Sequence, residues 1–379
     1  MTKTYLVGVA AVALAVLAGC GPKDGTKELA EGKAAYDVRD LKKAERLFTR
    51  SAMLAPANVD ALVCLVRVKL DLGDLPAAAE LIERAAALAG EDSDVRLLGA
   101  QIAWHQKDYD MARKRFRALA DDEALSATIR SLGWAGVGIV EMTENNRDLA
   151  RIALLRAIRV DRYNASARYH LGMLYRDAFN YNEAALEQFD VFVRLQTDAD
   201  ARVRRVQQTV IPDLKDTITR AAADRPGVAN RNSTASAAAI EKAKTEIRKG
   251  NFKSARQAYQ DALKADPLSY PAALGLAEMY LKTDTSSSGR QSALANYQLA
   301  CTLRYGAVGT FVAAGNLAYQ LGQYMRASEI YSRAIAANPN SIDAIDGLIR
   351  SLQKIGGEKA KLAQAYQRYR DFLKPSKGR

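Results

Sequence analysis

Histidine and cysteine are scarce in this sequence of 379 residues: His105 and His170, and Cys20, Cys64 and Cys301. Neither histidine has a cysteine or carboxylate at metal-ligand spacing, and no Cys-x-x-Cys pair occurs, which excludes the common zinc and dithiol sites. His170 directly precedes Leu171-Gly172 in a helical pattern and reads as a packing or surface residue. No stretch of four to eight residues rich in Val, Ile and Thr alternates as a strand does, so the chain reads as all helical. The longest apolar run, Leu6 to Ala18, is 13 residues, short of the roughly 20 that cross a bilayer as a helix. Gly133-Trp134-Ala135-Gly136-Val137-Gly138 has the glycine density of a phosphate loop but no preceding strand, so these read as packing glycines within a helix. No catalytic constellation, metal set or cofactor motif emerges. The expectation is a protein with no enzymatic activity, no metal and no cofactor.

What the chain does have is Ala, Leu, Arg and Lys in quantity, nine prolines and a net charge of +12. A basic balance favours acidic partners such as anionic headgroups, cell-wall carboxylates or acidic proteins. Cys64 and Cys301 lie 237 residues apart on apolar helix faces and read as two small buried residues without a mutual bridge.

The sequence also repeats itself. Gly250, Phe252, Ala255, Tyr259, Ala262 and Pro267 recur at identical offsets as Gly322, Tyr324, Ala327, Tyr331, Ala334 and Pro339. Ala44, Ala78 and Ala112 are spaced by 34. Leu171, Gly172, Tyr175, Tyr181 and Ala184 fit the same frame, as do Trp134, Gly138, Ala150, Leu154 and Ala157. The pattern resembles the tetratricopeptide repeat (TPR), a 34-residue helix-turn-helix unit. In that unit small residues let two helices approach, large apolar ones fill the gaps, and a proline stops the second helix.

The resemblance implies a right-handed superhelical solenoid of nine units. They begin near Gly25, Val59, Ser93, Ser131, Ala165, Ser236, Tyr270, Val308 and Ile342, with short insertions at 127–130 and 283–288. Five units and a capping helix over about 198–223 make a first block, residues 25–224. Residues 225–235, polar and carrying Pro226 and Gly227, read as a linker. Four units, 236–379, make a second block that the linker frees to move relative to the first.

The N-terminus resembles a bacterial lipoprotein signal. Lys3, the short apolar run and Leu17-Ala18-Gly19-Cys20 have the order of a signal peptide ending in a lipobox. The resemblance implies that residues 1–19 are removed, that Cys20 is acylated with palmitate-type chains, and that 20–24 form a tether. Gly21 after Cys20 implies the outer membrane, with the chain facing the periplasm.

In TPR proteins the first helix of each unit lines a concave groove. Carried over position by position, the groove of the first block presents Leu29, Lys33, Tyr36, Val63, Arg67, Leu97, Gln101 and Trp104. The second block presents Val312, Asp346, Asn316, Arg350, Tyr319 and Gln353 among others. Donors over an apolar stripe suit a partner segment bearing a carboxylate. The expected function is therefore a lipid-anchored scaffold whose partners are envelope proteins or peptides, with acidic segments favoured and nucleic acid not expected. The rival reading is a lipoprotein that binds peptidoglycan through its basic surface.

Overall fold

The computed structural model describes residues 24–196 and 201–374. Residues 1–19 and Cys20 lie outside the described residues. Among the described residues helical hairpins recur: α1 Thr26–Asp37 with α2 Leu41–Leu54, α3 Val59–Asp71 with α4 Leu75–Ala89, α5 Ser93–His105 with α6 Tyr109–Asp121, then in sequence the helices α7 Ala127–Thr143 and α8 Arg147–Val160, and the pair α9 Ala165–Leu174 with α10 Asn182–Leu195. A helix of two parts follows, α11 Ala201–Arg205 and α12 Ile211–Ala223, joined by a π turn at Val206–Val210. The remaining hairpins are α13 Ser233–Arg248 with α14 Phe252–Ala265, α15 Tyr270–Thr283 with α16 Ser287–Leu303, α17 Val308–Gln320 with α18 Tyr324–Ala337, and α19 Ile342–Ile355 with α20 Glu358–Leu373. No strand occurs among the described residues. The fold is the expected solenoid of helix pairs.

Local chemistry explains the boundaries. Asp40, Asn58, Asp74, Asp92, Asp108 and Asn164 stand at helix N-caps and accept backbone N–H bonds from two or three residues on, satisfying donors that the helix itself leaves open. Pro267 and Pro339 follow the ends of α14 and α18, where their rings bar continuation. Between the two helices of a hairpin the chain needs one left-handed residue. Gly73 supplies it freely at φ 78°, whereas Arg39 and Lys107 adopt φ 61° and 64° at the equivalent places, at a cost of roughly 1 kcal/mol each.

The small residues in the first helices act as the repeat pattern requires. A Cβ on Gly315 would lie 2.6 Å from the ring of Tyr331, and one on Gly347 would lie 2.3 Å from the same ring. Tyr331 is fully buried, and those two glycines make the slot it fills. Gly133 and Gly136 are likewise packing glycines, against the backbone of Phe116 and Ala120 and the ring of Phe116. The 127–130 insertion does not form a loop but lengthens α7 at its start, and the one at 283–288 partly lengthens α16.

The chain divides into two compact units, residues 1–140 and 141–379, within the last turn of α7. The first unit has a continuous core that includes Phe48, Leu62, Val66, Val68, Ile82 and Leu98. In the second, Val203, Val206, Val210 and Leu214 are buried, and α12 and the π turn before it pack against α10.

The division differs from the one expected at 225–235, which falls inside the second unit. Those residues are not a free linker. Val228–Asn230 form a 3-10 turn, and the Asn232 backbone N–H donates to the Ala265 carbonyl at 2.6 Å. A buried knot also ties the two sides of that stretch together. Arg151 on α8 is 0% exposed. It donates to the Ser332 hydroxyl at 2.6 Å and carbonyl at 3.3 Å on α18, to Asp148 at 2.8 Å, and to the Tyr366 hydroxyl on α20. Tyr366 in turn donates to Asp148 at 3.0 Å. The Arg151 guanidinium lies over the Phe179 ring, 4.7 Å from its centroid. Tyr181 adds a bond to Ser332 at 3.3 Å.

His170 on α9 is half-buried, with its ring edge-on to Tyr169. Burial, then the charge of Arg202, pushes its pKa down to about 4. The unfolded chain, with a histidine near 6.5, binds a proton that the folded chain refuses, so stability falls as pH drops from about 6.5 toward 4. Between pH 7 and pH 5 this one group should remove about 2 kcal/mol. Urea melts of His170→Gln at the two pH values should show a smaller loss than wild type by that amount. Equal losses would assign the acid sensitivity to other groups.

Candidate functional site

The eight residues expected to line the first groove come from α1, α3 and α5, all within residues 1–140. The structure separates them into three classes. Lys33 is exposed, while Tyr36, Arg67, Gln101, Trp104 and Leu29 are half-buried. Val63 and Leu97 are 5% and 9% exposed, so they pack between helices and do not form an open apolar floor.

A cavity of about 280 Å³ lies between the first two hairpins, lined by Lys33, Tyr36, Asp37, Phe48, Cys64 and Arg67. Three of the expected residues meet there. Leu29, Gln101 and Trp104 do not line it, and Trp104 instead sets its ring edge-on to His105. The floor comes from Phe48 on α2 and from Cys64, one residue beyond the expected Val63. Cys64 is therefore half-buried and lining, not a core residue like Cys301. Burial pushes its thiol pKa up, so at neutral pH it is a small apolar surface and a poor nucleophile.

Hydrogen bonds fix the polar wall. The Tyr36 hydroxyl donates to Asp71 Oδ2 at 2.8 Å, and Arg39 donates to the same oxygen at 2.8 Å. Burial, then the bond to Asp71, pushes the Tyr36 pKa up to about 12, so the phenol stays neutral in physiological conditions. Arg67 donates to Asp94 Oδ1 at 2.8 Å, which spends part of its charge within the chain. Among the described residues Lys33 has no carboxylate within ion-pair distance. The arrangement is an apolar recess with one uncommitted ammonium at its rim, suited to an apolar side chain next to a carboxylate.

The charge of the molecule is unevenly placed. Residues 1–140 hold 19 Lys and Arg against 19 Asp and Glu, so the whole excess of +12 belongs to residues 141–379. Among the described residues no group of three or more His, Cys, Asp or Glu could hold a metal ion. No helix among them is long and apolar enough to cross a membrane.

Family models of the tetratricopeptide repeat match residues 35–102, 138–200 and 240–295. No curated protein matches the sequence. Solved structures similar to it include PilF of Pseudomonas aeruginosa, at 17% identity over 54% of this chain and 93% of that chain, with a TM-score of 0.41. MamA from Desulfovibrio magneticus RS-1 is similar at 15% identity over 46% of this chain and 95% of that chain, with a TM-score of 0.36. YrrB, described as a TPR protein with an unusual peptide-binding site, is similar at 18% identity over 48% and 89%, with a TM-score of 0.31.

Proposed function

We propose that this tetratricopeptide-repeat chain is a scaffold that holds envelope proteins in place from a lipid anchor at Cys20. The recess between its first two hairpins grips one partner segment. The observation that carries the gripping role is the uncommitted Lys33 ammonium beside an apolar cavity floored by Phe48 and Cys64. The lipobox-like Leu17-Ala18-Gly19-Cys20 supports the anchor and the envelope setting. A segment with an apolar side chain followed by Asp or Glu satisfies both halves of the recess. Contact area supplies most of the affinity and the ion pair sets register.

Fluorescence polarisation against peptides that vary these two features tests the recess. Lys33→Ala with Arg67→Ala should weaken capture of apolar-acidic peptides at least tenfold, since charged contacts in a recess are costly to lose. Lys42→Ala with Lys43→Ala, two exposed residues on α2, should leave capture unchanged. A photo-crosslinker at Asp37 on the cavity wall should then label envelope proteins that carry such a segment. Equal losses from both pairs would show that diffuse charge, not the recess, does the binding.

The charge distribution favours one second reading, a peptidoglycan-binding lipoprotein acting through residues 141–379. Purified sacculi would then retain the protein in a strongly salt-dependent way, and the Lys33 and Arg67 substitutions would not matter.

A further inference from the structure

Another cavity, of about 480 Å³, opens where the start of α8 meets the start of α20, two helices that pack against each other. Its lining comes from the α7–α8 turn and the start of α8, from Phe179 beyond the end of α9, and from α20. None of these is a groove-facing position of the repeat.

Charge decides what the cavity can hold. Asp148 is the one carboxylate among the lining residues. It is already matched, by the Arg151 guanidinium at 2.8 Å and the Tyr366 hydroxyl at 3.0 Å. Arg147 and Lys359 are left. They stand 212 residues apart in sequence, and both are exposed. Among the described residues neither has a carboxylate within ion-pair distance. Arg147 donates one N–H to the Ala178 carbonyl at 3.1 Å, which fixes its head and leaves other donors open. Two like charges brought to one cavity by two distant elements repel, so the folded chain gains from an anion between them.

Beside the charges the wall is apolar. Leu149 is exposed, and Phe179 and Leu362 are half-buried. Phe179 is held by the Arg151 guanidinium, 4.7 Å from its centroid, and by the Tyr181 ring stacked at 5.3 Å. The volume lies within the roughly 300–1,000 Å³ of small-ligand sites.

We infer that this cavity binds a phosphate monoester, its dianionic phosphoryl group between Arg147 and Lys359 and its organic group on Leu149, Phe179 and Leu362. A doubly charged head answers both cations, and guanidinium and ammonium groups are strong phosphate donors. The bound ester joins α8 to α20 where Arg151 and Tyr366 already join them, so it tightens that closure. The site is separate from the Lys33 recess and does not depend on it.

The test is isothermal titration of the full-length protein in non-ionic detergent with phenyl phosphate, methyl phenyl phosphate and inorganic phosphate. At pH 8 a monoester, with a second pKa of about 6, is dianionic. Phenyl phosphate should bind. The diester has one charge and inorganic phosphate has no organic group, so each should bind at least tenfold more weakly. Lys359→Gln should weaken phenyl phosphate at least tenfold. Lys361→Gln, exposed on the same helix and outside the lining, should leave it unchanged. Both lysines are exposed, so the melting temperature of the free protein should not move. Hydrogen exchange in α20 should slow when phenyl phosphate is added to wild type, and should not respond in Lys359→Gln. Dihexanoyl phosphatidic acid separates the sources: tighter binding than phenyl phosphate assigns the site to a lipid headgroup, weaker binding to a soluble ester, and both support the phosphoryl assignment. Neither heat nor slowed exchange with phenyl phosphate, a diester or inorganic phosphate bound as tightly as the monoester, or equal losses from Lys359→Gln and Lys361→Gln would overturn the inference.

Discussion

Replacing Arg151 with alanine should lower the unfolding free energy of residues 141–379 by roughly 3–5 kcal/mol, the usual loss when a buried charged network forfeits one member. Arg151 is wholly buried and joins three elements that are distant in sequence: α8, α18 and α20. Alanine leaves the Ser332 hydroxyl, the Tyr366 hydroxyl and Asp148 facing a void and removes the cation that holds them together. Methionine keeps the stem and much of the volume, so it separates packing from charge. Arg151→Met should cost less than alanine, because apolar replacement of a buried ion is often tolerated. The closure should weaken before the hairpins themselves do. Hydrogen exchange in α20 should therefore accelerate in the alanine variant while α3 and α4 of the first unit stay protected. Proteolysis gives an independent reading. The chain is expected to be cut near Arg225 or Arg231, in the polar stretch with exposed residues. The wild-type pieces should still elute together after the cut, held by Arg151, Tyr181, Ser332 and Tyr366, whereas those of Arg151→Ala should separate. A loss below about 1 kcal/mol, with the nicked wild type falling apart, would mean that the knot contributes nothing net.

This closure was not legible in the sequence, for a physical reason. Repeat periodicity reports contacts between neighbours, since each hairpin buries its apolar stripe against the next. It predicts helix starts at Val59, Ser93, Tyr270, Val308 and Ile342, which the structure repeats. It places two others late, at Ser131 and Ser236, because α7 and α13 carry extra turns ahead of the periodic part. Nothing in a local period says that Arg151 meets Ser332, and an arginine inside an apolar helix gives only the hint that it needs a partner. The polar, Pro- and Gly-bearing stretch at 225–235 resembles a linker for the same reason: composition shows the absence of a core stripe, not the tertiary contacts on either side. The recess shows the limit at the scale of one residue. The repeat positions identified Lys33, Tyr36 and Arg67, but the floor depends on which side of α3 turns inward, and that side is set by Phe48 packing between α1 and α3. Cys64 thus replaced Val63 as a lining residue.

Replacing Cys20 with alanine should move the protein from the membrane fraction to the soluble fraction almost completely, the largest effect expected of any single substitution here. The proposal rests on sequence alone, on a 13-residue apolar run ending in Leu17-Ala18-Gly19-Cys20. Each buried methylene of an acyl chain contributes about 0.8 kcal/mol, and one chain holds a protein only marginally, whereas two or more hold it stably. No helix among the described residues is long and apolar enough to cross a membrane. The variant keeps its apolar leader, so its processing should be followed as well. An uncleaved form of higher mass, without acyl chains by mass spectrometry, is the expected product, and detergent phase partitioning of a leaderless version removes the leader from the comparison. One confounding attraction has to be separated. The second unit carries the full +12, and each Lys or Arg near an anionic surface adds about 1 kcal/mol, so some Cys20→Ala protein should sediment with membranes at low ionic strength. That fraction should wash off at about 1 M salt, where charges are screened beyond roughly 3 Å, whereas acylated wild type should stay. Retention of the leaderless Cys20→Ala form through the high-salt wash would refute the lipid anchor and shift membrane attachment to the folded chain itself.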